Sequence, residues 1–170
     1  MKKLILAAAV ATFAVPAAAA PGNTATASDG SATATIIAPI AITHQSGEEL
    51  NFGVILPDVS ASSVVSITTG GVGSVSSGSA LVVDASAQAA DGFDVTGDAN
   101  RGFDITTTGG SVTSGANSMT FTTSYQSSTG SGTLDASGVA SFTVGGALTV
   151  GANQAAGTYS GTYSATVTYQ

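Results

Sequence analysis

From Ala32 to the end of the chain, short apolar or alternating runs are separated by Gly, Ser, Asn and Asp. Runs of this length with turn residues between them predict strands, and a succession of them predicts an all-β sandwich or barrel. The predicted strands are Ala32–Ile37, Ile40–Thr43, Leu50–Leu56, Ser63–Thr68, Ala80–Val83, Phe93–Thr96, Phe103–Thr107, Met119–Tyr125, Val139–Val144, Leu148–Val150 and Thr158–Tyr169. One short helix is allowed at Ala85–Ala90, about a turn and a half long. Two hairpins are expected. Gly92–Thr96 is echoed by Gly102–Thr106 across the turn-rich Gly97–Asn100, so these runs are expected to pair antiparallel. Leu134–Val144 is expected to bend at Asp135, Ser137 and Gly138. Gly70–Gly73 and Gly145–Gly146 lack a strand–loop–helix setting and read as turns and strand ends.

The strongest pattern is the last one. Tyr159, Gly161, Tyr163, Ala165, Val167 and Tyr169 alternate with Thr158, Ser160, Thr162, Ser164, Thr166, Thr168 and Gln170. Strict period-2 alternation describes a strand with one half-apolar face and one hydroxyl face.

The first residues follow a different rule. Lys2 and Lys3 precede an uncharged apolar run, Leu4–Val15, then Pro16 and four alanines. A positive start, an apolar middle and small residues describe a secretory signal peptide. The run is shorter than the roughly 20 residues a membrane-spanning helix needs. With Ala17 and Ala19 at the small positions, cleavage is expected after Ala19. Residues 20–31 are small and polar and read as a flexible arm. Residues 32–170 read as a single domain.

Composition narrows the function. Serine and threonine account for 23 and 24 residues, charged residues for 8%, and cysteine is absent. The missing cysteine excludes a disulfide scaffold, a thiolate metal site and a cysteine nucleophile. After residue 19 the only basic side chain is Arg101, against ten acids, a net charge of −9. Nucleic-acid binding needs clustered Lys and Arg and is not expected. Attachment to anionic lipid and stable membrane insertion are not expected either.

Candidate chemistry is sparse. The single histidine, His44, lies between a strand-like run and a polar segment and reads as an exposed loop residue. No G-x-S-x-G elbow is present. A nucleophile, base and oxyanion site cannot be assembled, so no enzyme activity and no cofactor are expected. Asp91, Asp94, Asp98 and Asp104 could supply calcium oxygens. Their spacing matches neither the EF-hand nor the nonapeptide repeat, so they read as solvated strand-end acids.

The C-terminal strand carries a resemblance. Tyr169 is second from the end and Gly157 fourteenth from it. This arrangement resembles the chaperone-binding signature of bacterial chaperone–usher pilins. Leu50-Asn51-Phe52-Gly53 resembles the L-x-F-G motif of spore coat protein U-type subunits. Together with the start Ala32–Ile40, these features also resemble a bacterial secreted family known only as a domain of unknown function.

The resemblance implies an immunoglobulin-like antiparallel β-sandwich lacking its final strand. It implies a structural subunit of a surface filament, assembled by donor-strand exchange. A periplasmic chaperone and an outer-membrane usher would be its partners, followed by copies of itself or related subunits. Its route would be general secretion, then periplasm, then cell surface or exterior. Gly157, Tyr159, Tyr163, Val167 and Tyr169 would form the acceptor and chaperone contact. Ala32, Ala34 and Ile36 would form the donor strand. Many pilins carry a disulfide near the first strand, and this chain has no cysteine. If Ala32–Ile37 belongs to the subunit's own sheet, the sandwich is complete alone. The alternative is then a self-contained extracellular binding or adhesive module.

Overall fold

The structure is a computed structural model that describes Gly22 and residues 26–127 and 132–170. The expected signal peptide and its cleavage site lie outside the described residues. Eleven strands follow one another: β1 (Ala41–His44), β2 (Val54–Leu56), β3 (Ser63–Ile67), β4 (Gly73–Ser77), β5 (Leu81–Asp84), β6 (Asp91–Thr96), β7 (Phe103–Thr108), β8 (Gly110–Ser114), β9 (Asn117–Ser127), β10 (Val139–Val150) and β11 (Ser164–Tyr169). All named pairings are antiparallel. The fold is therefore an all-β sandwich, with no helix among the described residues. Residues up to Thr35 form one unit and Ile36–Gln170 another.

The central strand is β10. Its first half pairs with β6 and its second half with β3, both on one edge, while β9 takes the opposite edge. Strand β1 continues beyond β6 and β4 beyond β3. Along β10 the even-numbered residues Ala140, Phe142, Val144, Leu148 and Val150 are all buried. That unbroken alternation makes one strand of the two predicted runs Val139–Val144 and Leu148–Val150. Gly145 and Gly146 sit inside it rather than at a turn. A Cβ at Gly145 would collide with the Ile67 carbonyl oxygen, and one at Gly146 would lie 2.5 Å from that of Thr122. Close backbone approach is what requires glycine here.

Two clusters fill the interior. Val95, Phe103, Ile105, Leu134, Ala140, Phe142 and Val144 form the first, covered by Phe93, Ala165, Val167 and Tyr169. Phe52, Val65, Ile67, Phe121, Leu148 and Val150 form the second, flanked by Ile55, Val75, Val82, Val112 and Met119. Tyr163 packs against both. Its ring meets Phe93 and Phe121 edge-on, with centroids 6.2 and 6.1 Å away. These are favourable aromatic geometries.

Several local expectations change. Gly92–Thr96 and Gly102–Thr106 do not pair. Both edges of β6 are taken, by β1 and β10, and β7 pairs with β11 in the other layer. Gly97–Asn100 crosses between layers, so Val95 and Phe103 meet face to face in the core. Ala32–Ile37 forms no strand, and Ile36 is 95% exposed. Of Leu50–Leu56 only Val54–Leu56 is a strand, because Gly53 adopts φ +78°. Ala85–Ala90 is a turn closed by the Gln88 N–H to the Ala85 carbonyl, not a helix. Strands β4 and β8 carry no clear strand signal in the sequence, since Ser and Gly dilute their apolar alternation. The Leu134–Val144 bend is present: Asp135 accepts from the Ser137 and Val139 N–H groups, and Gly138 takes φ +76°.

Candidate functional site

Residues 154–163, which lie before β11 and form no strand of their own, build one wall of a groove together with Val112 of β8. β11 pairs with β7 over Ser164–Tyr169. Further back, Ser160 and Thr113 of β8 exchange both backbone hydrogen bonds, at 2.8 and 3.1 Å. In an antiparallel pair that exchange turns the peptide groups of the adjacent residues to the opposite edge. Tyr159 and Gly161 accordingly present their backbone away from β8, and no backbone partner meets them among the described residues. β11 begins beyond the cleft and has β7 as its sole paired neighbour among the described residues. The other wall is β2, which pairs with β5 on one edge alone.

Between these walls lies a cleft of about 1300 Å³. Its floor is Phe52, Val112, Met119, Phe121, Leu148 and Val150, so it opens onto the second core cluster. The walls meet at one end. There the Asn153 N–H donates to the Asp58 carbonyl at 2.8 Å, and Asn153 Nδ2 donates to the Val59 carbonyl at 2.6 Å. The L-x-F-G segment contributes Leu50, Phe52 and Gly53 to the lining. A Cβ on Gly53 would sit 2.6 Å from the Asp84 carbonyl, which ties the motif's glycine to the β2–β5 ribbon.

The other end carries a buried polar group. Asp91 is 5% exposed and has three partners. His44 Nε2 lies 2.7 Å from its Oδ1, the Gly92 N–H donates to Oδ1 at 2.8 Å, and the Tyr163 hydroxyl donates to Oδ2 at 2.6 Å. A buried carboxylate is tolerable when its oxygens are satisfied in this way. Burial, and then the Asp91 carboxylate, raise the Tyr163 hydroxyl far above the ordinary phenol range. His44 thus ends β1 and joins a hydrogen-bonded group, where the sequence read it as a loop residue. The register of β1 on β6 places it opposite Phe93, two residues beyond Asp91. Pairing across 47 residues leaves no local sequence signal.

The predicted site residues divide. Gly157, Tyr159 and Tyr163 line the cleft. Val167 and Tyr169 do not; they pack on the first core cluster. The Tyr169 hydroxyl accepts from the Asp98 N–H at 2.6 Å and donates to the Ala38 carbonyl at 2.9 Å. Ala32, Ala34 and Ile36 are exposed and lie in no strand.

The four aspartates do not converge. Asp91 faces His44 and Tyr163, Asp94 accepts from Gln45, Asp98 from Arg101 and Asp104 from Gln170. Asp91 is buried, so the expectation of a solvated strand-end acid fails there: β6 turns its side chain inward beneath Tyr163. Among the described residues, no group of three or more His, Asp or Glu side chains is placed to hold a metal ion.

No curated protein and no solved structure matches the chain. Residues 40–169, from just before β1 through Tyr169, match the family described as Domain of unknown function (DUF4402). That span contains both walls of the cleft, its floor and the Asp91 group, and the chain belongs to this family.

Proposed function

We propose that the protein is a secreted, non-enzymatic structural subunit that assembles head to tail into a surface filament. One observation carries this reading. Among the described residues, the cleft is bounded by β2, whose second edge is unpaired, and by the stretch 158–163, where Tyr159 and Gly161 have no backbone partner, and it is floored by core side chains, an opening that suits an added strand. Adding an extended segment there would satisfy backbone groups on both walls and let alternate side chains cover the second cluster. It would also protect edges that otherwise invite aggregation.

The segment Ala32–Ile37 suits the donor role. It lies outside the subunit's own sheets, and Ala32, Ala34 and Ile36 alternate with Thr33 and Thr35. Ala38 is held at Tyr169, and β1 runs from there toward His44 and the mouth of the cleft. Ala38 therefore lies at the far end of β11 from the cleft. Donor and acceptor surfaces are different, and a heterologous contact of that kind propagates instead of closing. In this reading the sandwich is immunoglobulin-like and short of one strand. A periplasmic chaperone would fill the cleft before the usher delivers the next subunit.

The test compares residues 20–170 with the same chain carrying Ile36→Asp. The parent should form oligomers, seen by analytical ultracentrifugation. The variant should remain monomeric, cap growing chains, and gain thermal stability from a peptide of residues 26–40. A parent that stays monomeric at high concentration, with a variant indifferent to the peptide, would overturn the proposal. The self-contained binding module would then be the better description.

A further inference from the structure

The two walls of the cleft run alongside each other in opposite chain directions. Residues 48–57 line one side and residues 154–163 the other. Both stretches leave the Asn153 clasp, where the Asn153 N–H donates to the Asp58 carbonyl. Both end at the start of β6. There the Gln45 N–H, at the base of the turn that Glu48 closes, donates to the Gly92 carbonyl, and the Tyr163 hydroxyl donates to Asp91. The walls are therefore antiparallel and joined at one end.

Their unpaired backbone groups are complementary. Asn51 and Ala89 exchange both backbone hydrogen bonds, at 3.0 and 3.1 Å, as Ser160 and Thr113 do on the other wall. A trans peptide carries its C=O and N–H on opposite edges. The Leu50 carbonyl and the Phe52 N–H are thus turned away from Ala89, and the Tyr159 carbonyl and the Gly161 N–H away from Thr113. None of the four has a backbone partner among the described residues. Steps of two residues from the Asp58–Asn153 contact set Phe52 opposite Tyr159 and Leu50 opposite Gly161. In that register the Phe52 N–H faces the Tyr159 carbonyl, the Gly161 N–H faces the Leu50 carbonyl, and Asn51 faces Ser160. The side chains agree: Phe52 is buried and Tyr159 half-buried, whereas Ser160 is exposed. The β2–β5 ribbon is a separate two-stranded sheet, so it can turn about the clasp without breaking a named strand pairing.

We propose that the cleft closes on itself. The β2–β5 ribbon turns about the Asn153 clasp until the Phe52 N–H donates to the Tyr159 carbonyl and the Gly161 N–H to the Leu50 carbonyl. The two walls then pair directly, with no strand between them. Resting on the strand-cleft reading above, this closed form is the resting state that an incoming strand displaces. It hides the open edges of a subunit that has no partner. It also weakens apparent strand binding in proportion to the fraction left open.

The experiment uses the full mature chain with Ile36→Asp, which keeps other copies out of the cleft. The chain has no cysteine, so an introduced pair has no competing thiol within the molecule. Asn51→Cys/Ser160→Cys puts the pair at directly opposed positions of the closed register, with Cα atoms about 4.5 Å apart, within reach of a disulfide. Asn51→Cys/Thr158→Cys is two residues out of register, at about 7–8 Å. In a glutathione redox buffer the first pair should form its intramolecular disulfide about tenfold more favourably than the second, read by mass spectrometry after thiol labelling. The oxidised first variant should bind a peptide of residues 26–40 about tenfold more weakly than the same protein after reduction. In the variant without cysteines, hydrogen exchange should show the Phe52 and Gly161 amides protected about tenfold. Equal disulfide formation by the two pairs, or exchange of both amides at unstructured rates, would overturn the closure and leave the cleft reading intact. Equal peptide binding before and after reduction would overturn the competition between closure and strand. An in-register disulfide in a protein that ignores the peptide when reduced would support the closure and overturn the strand-cleft reading.

Discussion

The Tyr163 hydroxyl donates to Asp91 Oδ2 at 2.6 Å, joining positions 72 residues apart. This bond pins the C-terminal segment to β6 at the point where the two core clusters meet. It also closes the mouth end of the cleft, so it serves the fold and the site together.

Tyr163→Phe should cost about 2 kcal/mol, because the lost bond is to a carboxylate. The pH dependence follows from the raised hydroxyl of the folded state. Tyrosine in the unfolded chain ionises near pH 10, whereas the folded hydroxyl holds its proton higher. The stability Tyr163 contributes is therefore fully present below about pH 10 and lost as pH rises beyond it. Urea melts of parent and variant should run parallel from neutrality to about pH 9 and converge in more alkaline buffer.

Asp91→Ala should be worse than Asp91→Asn. Alanine leaves the Tyr163 hydroxyl, the His44 ring and the Gly92 N–H without their shared acceptor, a loss of about 3 kcal/mol or more. Asparagine keeps an acceptor of the same shape. Chemical denaturation of the two variants should rank them in that order.

Gly97→Ala and Tyr169→Phe should be strongly coupled. A Cβ on Gly97 would collide with the Tyr169 hydroxyl oxygen. Removing that oxygen makes room, at the expense of its bonds to Asp98 and Ala38. In a double-mutant cycle the combined variant should lose about 1 kcal/mol less than the sum of the singles. Full additivity would show that the two positions do not touch.

Phe142→Ala should destabilise the domain by about 3–5 kcal/mol. Phe142 is 1% exposed and stacks on Phe93 with centroids 5.2 Å apart. Ile36→Asp, at a position 95% exposed, should change monomer stability by less than about 0.5 kcal/mol while abolishing assembly. Melting curves of both variants in dilute solution separate the core effect from the assembly effect.

Much of the fold was legible because burial in a strand is a local matter of parity. From Tyr159 to Tyr169, Tyr159, Tyr163, Ala165, Val167 and Tyr169 are partly buried, and the intervening Ser and Thr residues are exposed. Turns were legible where a side chain closes its own bend. Asp58, Asp84 and Asp135 each accept the N–H of the serine two residues on. The first two carboxyls are held below the usual range, Asp58 chiefly by the Ser60 N–H and Asp84 chiefly by the Ser86 hydroxyl. The D-x-S sequence shared by Asp58, Asp84 and Asp135 is the local signal for those bends.

Pairing was not legible in the same way. Gly92–Thr96 and Gly102–Thr106 look like partners because they are near, similar and joined by turn residues. Each instead found its edge at a distance: β6 on β1 and β10, β7 on β11. Parity fixes which face of a strand is buried, but edge choice depends on which other strands arrive alongside.

The sequence by itself determined an all-β domain, an acidic hydroxyl-rich exterior, and a C-terminal segment with a half-apolar face, of which Ser164–Tyr169 is strand. Alternation and composition are properties of the chain, and they survive any arrangement of the strands. Only the tertiary structure decided that Ala32–Ile37 stays outside the sheets, that His44 and Tyr163 converge on Asp91, and that β2 and Thr158–Thr162 stand apart on either side of a cleft floored by the second cluster. Each of these depends on long-range backbone pairing, where the energy lies in edges meeting and not in the local order of residues.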